Sequence, residues 1–154
     1  MTTSTSPSTK TPPHVPEPRR PRGLVDTSVV IDLERIDPKT LPGELAISAV
    51  TLAELAAGPH ATGDPSERAR RQDRLQRTED TFDPLPLDAE AARAFGRIYA
   101  ATEAAGRKAR GRRALDLLIA ATAVASDLPL YTRNPDDFGA LREVLEVHTA
   151  EARV

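Results

Sequence analysis

Short apolar runs alternate with longer helical stretches from residue 23 almost to the end of the chain, and this alternation limits the possible folds most strongly. It is typical of an α/β domain with a parallel sheet, because each strand is followed by a helix that crosses back over it. Strands are predicted at 24–25, 45–47, 82–87, 130–132 and 144–147, with 82–87 at an edge because it contains two prolines. Helices are predicted at 29–35, 49–57, 65–79, 89–105 and 114–126, with a short one beginning at 134.

The first 22 residues differ from the rest of the chain. They are rich in proline, serine and threonine, and they carry Lys10, Arg19, Arg20 and Arg22 against the single acid Glu17. Such a segment buries too little apolar surface to offset the cost of ordering it, so we predict a disordered basic extension at 1–22. The remaining residues, 23–154, are long enough for one domain with its own core.

Composition narrows the possible classes of function. No apolar run approaches the roughly 18 residues of a membrane-spanning helix, and residues 1–22 lack the apolar centre of a secretory signal. With no cysteine, the chain has no disulfide, thiolate metal site or thiol nucleophile, and we expect a cytoplasmic protein. The net charge of −2 argues against a broadly cationic surface, so contact with nucleic acid would require local basic patches.

Three acidic residues end or interrupt apolar runs, where an ionised carboxylate is costly unless it is paired or binds a metal. Asp26 ends the first strand, Glu54 lies in the helix after the second strand, and Asp116 lies near the start of an apolar helix. In an open parallel sheet, functional groups gather at the carboxyl ends of the strands. We therefore expect these three carboxylates to converge.

Each acid also has a purely structural interpretation. Asp26 is followed by residues typical of a helix cap, and Glu54 suits the solvent face of an amphipathic helix. Asp116 suits the second or third position of its helix, where the macrodipole favours a negative charge. These interpretations weaken when the three positions are taken together, because all three acids belong to runs that should be adjacent in one sheet.

Converging carboxylates suit a hard cation such as Mg²⁺ or Mn²⁺. A zinc site is disfavoured, because His14, His60 and His148 all lie outside these runs. A hard cation lowers the pKa of bound water and stabilises charge on a transferring phosphoryl group. Because the chain has no glycine-rich phosphate loop, metal-dependent cleavage of a phosphodiester is the favoured chemistry.

Two basic segments bear on such a substrate. Residues 106–113 (GRKARGRR) hold five cations and no acid and lead directly into Asp116, which predicts phosphate steering. The candidate RNA-binding residues are Arg107, Lys108, Arg110, Arg112 and Arg113. The helix predicted at 65–79 carries Arg68, Arg70, Arg71, Arg74 and Arg77, which we interpret as a solvated helix face.

Four segments together resemble the PIN-domain ribonucleases, and most closely the VapC toxins of bacterial type II toxin–antitoxin pairs. They are LVDTS at 24–28, ISAVTLAEL at 47–55, LDLLIAATA at 115–123 and LYTRNPDDF at 130–138. The resemblance runs from Gly23 to about Thr149 in the family's order and spacing. It implies a PIN-like three-layer α/β sandwich whose central parallel sheet has about four to five short strands flanked by helices.

The resemblance implies roles for the acids. Asp26, Glu54 and Asp116 would be the catalytic and metal-binding residues of a metal-dependent endoribonuclease, with Mg²⁺ or Mn²⁺ as the cofactor. Many relatives have an aspartate where this chain has Asn134, and Asp137 is then the candidate for the fourth acid.

The resemblance also implies supporting residues and partners. The supporting residues would be Thr27, Ser28, Thr132 and Asn134, and the hydroxyls of the first three would hold the acids through hydrogen bonds. The substrate would be transfer, ribosomal or messenger RNA. The protein would form a homodimer, and a small VapB-like antitoxin would cover the site.

Two alternatives compete with this interpretation. The first is an aspartic protease, because two apolar residues followed by Asp-Thr-Ser also flank the catalytic acid of that class. The long helices predicted at 89–105 and 114–126 argue against it, since those folds are nearly all β. The second is a non-catalytic PIN scaffold that binds RNA or protein, and Asn134 keeps this alternative open.

Overall fold

The computed structural model describes residues 21–154, so the extension predicted at 1–22 lies outside the described residues except for Pro21 and Arg22. Within the described part, four parallel strands form one sheet in the order β2–β1–β3–β4. The strands are β1 Gly23–Val25, β2 Leu45–Ala46, β3 Leu130–Thr132 and β4 Val147–Thr149. The helices are α1 Thr27–Ile31, α2 Ala49–Ala57, α3 Pro65–Thr81, α4 Ala89–Ala104 and α5 Arg112–Ala125. Short 3₁₀ segments lie at Leu33–Arg35, Pro38–Thr40, Gly58–Ala61 and Pro135–Leu141.

The sheet has a separate core on each face, which follows from the alternation of side chains along a strand. Leu24 pairs with Leu130 across β1 and β3, and both belong to the cluster that α4 and α5 cover. Val25 pairs with Tyr131 one residue further on, and both belong to the cluster that includes α1. The result is the expected arrangement of a parallel sheet between helical layers, which is incompatible with the all-β fold of an aspartic protease.

The strand predicted at 82–87 is wrong. Leu85 alone forms a parallel bridge with Ser48, through the Leu85 N–H to Ile47 oxygen and the Ala49 N–H to Leu85 oxygen bonds. Leu85 directs both its N–H and its carbonyl to residues 47–49, so the missing N–H groups of Pro84 and Pro86 lie on the other side, as in an edge segment. Within residues 21–154 the pairing is limited to this single bridge.

Several predicted boundaries also differ, and two elements differ by three residues or more at one end. The last strand was expected at 144–147 but begins at Val147, because the N–H groups of Val144 and Leu145 still donate to Leu141 in a turn. The helix expected at 29–35 begins earlier, at Thr27, and ends at Ile31 before the 3₁₀ segment Leu33–Arg35.

The strand order places a crevice at the carboxyl ends of β1 and β3. The chain passes from β1 outward to β2 on one side and from β3 outward to β4 on the other, so the direction of winding reverses between the two central strands. Ligands of open α/β sheets bind at such a switch point. Among residues 21–154, no helix is long and apolar enough to span a membrane.

Candidate active site

Asp26 lies at this crevice, immediately after β1, and is 4% exposed. Its carboxylate caps α1 by accepting from the Val29 N–H at 3.2 Å, and the Ser28 hydroxyl donates to Oδ1 at 2.6 Å. Burial raises the pKa of Asp26, while hydrogen bonds from Ser28, Thr132 and the Val29 N–H oppose the rise. Asp26 therefore does cap α1, as its structural interpretation expects. The same carboxylate is also buried at the switch point.

Glu54 lies on α2 and turns toward α1 rather than toward solvent. The Thr27 hydroxyl lies 2.9 Å from Glu54 Oε1 and 3.0 Å from the Thr51 hydroxyl. Thr51 is fully buried, so the pair of threonines fixes the distance between the two helices. The solvent-face interpretation of Glu54 is wrong, because the side chain is half-buried and engaged by a residue next to Asp26.

Asp116 is the fifth residue of α5. It therefore lies beyond the first turn, which is the part of the helix where the dipole favours a negative charge. Burial, together with the negative charges of Asp26, Glu54 and Asp137, raises its pKa to about 6, while Arg113 opposes the rise. These charges act on Asp116 only because α1, α2, α5 and the segment after β3 meet at one edge of the sheet. The structure thus brings together the three acids singled out in the sequence.

Asp137, rather than Asn134, contributes the fourth negative charge. Asp137 is exposed on the 3₁₀ segment Pro135–Leu141, and its charge acts on Asp116. Asn134 is also exposed, and its amide makes no capping hydrogen bond to that segment. Its backbone N–H donates to the Thr132 hydroxyl at 3.0 Å, so Thr132 links Asn134 to Asp26.

The donor chemistry of these acids fits a hard divalent cation. Within residues 21–154, no three His, Cys, Asp or Glu side chains are close enough together to enclose a metal ion as they stand. The carboxylates do repel one another, as the raised pKa of Asp116 indicates. A bound Mg²⁺ or Mn²⁺ would relieve that repulsion and accept the oxygen ligands that such ions prefer.

The basic segment joins α4 to α5 beside these acids. Gly106 and Gly111 have φ of 76° and 67°, a conformation that other residues rarely adopt. The Arg107 Nη1 donates to the Asp136 carbonyl at 2.6 Å. Within residues 21–154, the Arg113 Nη1 is buried without a hydrogen-bond partner. Three further cations of the segment are exposed: Lys108, Arg110 and Arg112.

Sequence reasoning missed three residues of the crevice. Thr51 falls on the same face of α2 as Ser48 and Glu54, and this spacing of three residues was a usable signal. Asp32 and Arg133 form an ion pair with Oδ2 and Nη1 2.6 Å apart. They are far apart in the chain, so no local pattern could have paired them.

Comparison with known proteins identifies the family. Residues 23–144 match the PIN domain family. The chain belongs to that family. Among its PIN-domain relatives, ribonuclease VapC5 of Mycobacterium tuberculosis is 38% identical over 122 residues, covering 77% of this chain and 87% of the relative. Ribonuclease VapC of Rickettsia bellii is 32% identical over 134 residues, covering 82% of this chain and 94% of the relative.

Solved structures agree with this assignment. The crystal structure of VapBC-5 from Mycobacterium tuberculosis, a member of the VapBC family of toxin–antitoxin systems, matches with a TM-score of 0.71 and 38% identity. That match covers 86% of this chain and 98% of the other. FitAcB from Neisseria gonorrhoeae matches with a TM-score of 0.63 and 26% identity, covering 80% and 94%. The resemblance to PIN-domain proteins of the VapC group, and the PIN-like α/β fold that it implied, are confirmed.

Proposed function

We propose that this PIN-domain protein is an endoribonuclease that cleaves RNA phosphodiester bonds and serves as the toxin of a VapBC-like type II toxin–antitoxin system. The observation that carries the proposal is the convergence of Asp26, Glu54 and Asp137 on the partly buried Asp116, whose pKa burial and these three charges raise to about 6. A fold gains no stability from crowding like charges, so such a cluster is the mark of a functional site. The ribonuclease names of the VapC relatives support the same activity.

Mg²⁺ or Mn²⁺ would be the cofactor of this activity. Asp26, Glu54 and Asp116 would hold it, with Asp137 as the fourth carboxylate. When bound, such an ion supplies an activated water and screens the charge that develops on the phosphate. All four residues carry the carboxylate oxygens that suit these cations, and the chain has no cysteine to favour a softer metal.

The chain's own residues hold this site in place. The hydroxyls of Ser28 and Thr132 donate to Asp26, and that of Thr27 lies within hydrogen-bonding distance of Glu54, so these carboxylates have little freedom to turn away. With a pKa of about 6, Asp116 is mostly ionised at neutral pH and available as a ligand. The proposed RNA-binding residues hold the phosphate backbone without reading bases. They are Arg107, Lys108, Arg110, Arg112 and Arg113.

The proposal includes two protein partners. The VapBC-5 structure, matched at 38% identity, belongs to a toxin–antitoxin system, which supports a VapB-like antitoxin that covers the acid site. A second copy of this chain would complete a homodimer, for which Tyr99 on α4 and Leu115 on α5 offer apolar surface, at 38% and 39% exposure. Cleavage of cellular RNA would take place in the cytoplasm.

The test is cleavage of total bacterial RNA by purified protein that is free of antitoxin. Discrete fragments should appear with Mg²⁺ or Mn²⁺, disappear with EDTA, and fall about a hundredfold or more with Asp116→Asn. Asp136→Asn is the matched control, because this exposed neighbour of Asp137 is not among the charges that act on Asp116. If folded protein with metal leaves RNA intact, the non-catalytic PIN scaffold becomes the better description.

A further inference from the structure

A shallow depression of about 390 Å³ adjoins the acid cluster at the switch point. Its lining residues are Ser28, Ile31, Asp32, Arg133 and Asn134. Ser28 belongs both to this depression and to the acid site, because its hydroxyl donates to Asp26. A ligand in the depression would therefore be separated from the proposed catalytic Asp26 only by the Ser28 side chain.

Arg133 is held firmly at the edge of this depression. Its backbone N–H donates to the Ser28 hydroxyl at 3.2 Å, and its Nη1 donates to Asp32 Oδ2 at 2.6 Å. The side chains of Arg133 and Asp32 are 29% and 32% exposed. A guanidinium has five N–H donors, and within residues 21–154 this one makes a single side-chain hydrogen bond. The side chain lines the depression and is partly exposed, so its remaining donors are available to a ligand there.

A cation in this place has a chemical purpose. The phosphates of an RNA strand that reaches the crevice meet the negative charges of Asp26, Glu54, Asp116 and Asp137. A guanidinium matches the geometry of a phosphate, with two parallel N–H donors. Because Asp32 already fixes the side chain of Arg133, less conformational entropy is lost when a phosphate binds.

We infer that Arg133 binds a phosphate of the RNA strand beside the scissile bond, and that Asp32 is the positioning residue that holds the guanidinium toward it. This inference rests on the proposed function, since it assumes that RNA enters the crevice. The competing account is that the ion pair only ties α1 to β3. A partly exposed tie of that kind contributes little to stability and has no effect on RNA affinity.

The experiment measures binding of a labelled single-stranded RNA to the Asp116→Asn protein in EDTA, where cleavage does not interfere. Arg133→Gln should weaken binding about five- to tenfold and reduce the slope of log K against log salt by about 0.7, the value for one lost phosphate contact. Arg133→Lys should keep the slope and lose part of the affinity. Arg97→Gln removes the same charge from the middle of α4, beside Val124 and Ala125 at the end of α5. It should change neither the affinity nor the salt slope.

A double-mutant cycle tests the role of Asp32. By charge alone, Asp32→Asn should tighten RNA binding, because it removes a negative group. If Asp32 positions Arg133, the same change weakens binding when Arg133 is present and no longer weakens it in the Arg133→Gln background. In the otherwise unmutated enzyme, Arg133→Gln should raise KM with little change in kcat, as expected for loss of uniform binding. Melting temperatures confirm that each variant is folded.

The outcomes separate this inference from the function on which it rests. If wild type cleaves RNA and Arg133→Gln binds with the affinity and salt slope of Arg97→Gln, Arg133 is only a structural tie and the inference is wrong. If Asp32→Asn tightens binding, the positioning role is wrong. If folded wild type neither binds nor cleaves RNA, the proposed function fails and this inference fails with it.

Discussion

Glu67 on α3 and Asp116 on α5 carry the same chemical group, yet their pKa values move in opposite directions. Hydrogen bonds from Arg70 and Arg71 lower the pKa of Glu67. Burial and three neighbouring carboxylates raise that of Asp116 to about 6. On α3 the charges are arranged in pairs that favour the folded state, whereas at the crevice they are arranged against it. Charges that a fold leaves uncompensated point to a ligand of opposite charge.

The arginines of the two regions differ in the same way. On α3, Arg68 donates to the carbonyls of Pro59 and Thr62, and Arg71 donates to Gly58 and Glu67. In the segment 106–113, the Arg113 Nη1 is buried and has no hydrogen-bond partner among the described residues. In the same segment, no hydrogen bond or ion pair within the described residues engages the side chains of Lys108, Arg110 or Arg112. Two arginine-rich segments of one sequence therefore differ in how many of their cations are free to bind phosphate.

The largest expected effect is a difference in RNA affinity between two variants, each of which lacks three cations from one of the two regions. The triple change Lys108→Gln, Arg110→Gln and Arg112→Gln should weaken binding of single-stranded RNA by about ten- to a hundredfold at low salt. It should also reduce the salt slope by about 2. The matched triple change on α3 is Arg70→Gln, Arg74→Gln and Arg77→Gln, and it should alter affinity about threefold or less. Fluorescence anisotropy at several salt concentrations measures both quantities.

Equal losses of affinity in the two triple variants would remove the contrast between the regions, since RNA would then respond only to total charge. A larger loss from the α3 variant would reverse it and place the RNA along α3. Circular dichroism guards against unfolding, which is the greater risk for the α3 variant because Arg70 pairs with Glu67 and Arg77 with Glu34.

The acids of the crevice could be predicted from the sequence because the relevant signals are local. Asp26 ends an apolar strand, and Asp116 interrupts an apolar helix, so each is conspicuous against its neighbours. The order of the strands brings these acids together. The parallel α/β pattern was enough to predict that they meet at the carboxyl ends of the strands. Asp137 could be named only as a candidate, because Asn134, three residues earlier, also offers a side-chain oxygen.

The parts that could not be predicted depend on contacts between distant residues. Arg133 and Asp32 are paired only because β3 lies beside β1, and a single arginine or aspartate in a sequence gives no signal of its partner. The strand expected at 82–87 has suitable apolar residues, but whether prolines allow one bridge or several depends on the neighbouring strand. The start of β4 is set by a turn at Leu141 that the residues 144–147 do not reveal.

Metal binding should distinguish the carboxylates of the crevice from Glu67 on α3. Millimolar Mg²⁺ or Mn²⁺ should raise the melting temperature of wild type by about 3 to 8 °C relative to EDTA, because a cation that binds only the folded state stabilises it. Asp116→Asn should abolish the shift and Asp137→Asn should reduce it, whereas Asn134→Ala should leave it intact. Glu67→Gln on α3 should respond to metal as wild type does. Differential scanning fluorimetry measures all five proteins.

An unchanged melting temperature of wild type with metal would contradict a shared carboxylate site. A shift lost with Asn134→Ala and kept with Asp137→Asn would assign the fourth position to the amide instead.

The smallest effect concerns pH, and it should have opposite signs at the two carboxylates. In EDTA, folded protein keeps the Asp116 proton up to a pKa of about 6, whereas the unfolded chain releases it near 3.8. The folded state is therefore favoured by this group at low pH, and that stability is lost as the pH rises from about 4 through 6. For Glu67 the pKa is lowered, so its contribution is present above the unfolded value of 4.5 and is lost as the pH falls.

Two conservative variants isolate these contributions. Above pH 7, Asp116→Asn should melt about 2 to 5 °C above wild type, and the difference should vanish near pH 4. Glu67→Gln should melt slightly below wild type above pH 7, and its deficit should also shrink toward pH 4. Melting temperatures from about pH 4 to 8 in EDTA and low salt give both curves. If Asp116→Asn follows wild type at every pH, the carboxylates do not repel one another in solution, and the crevice is no different from α3.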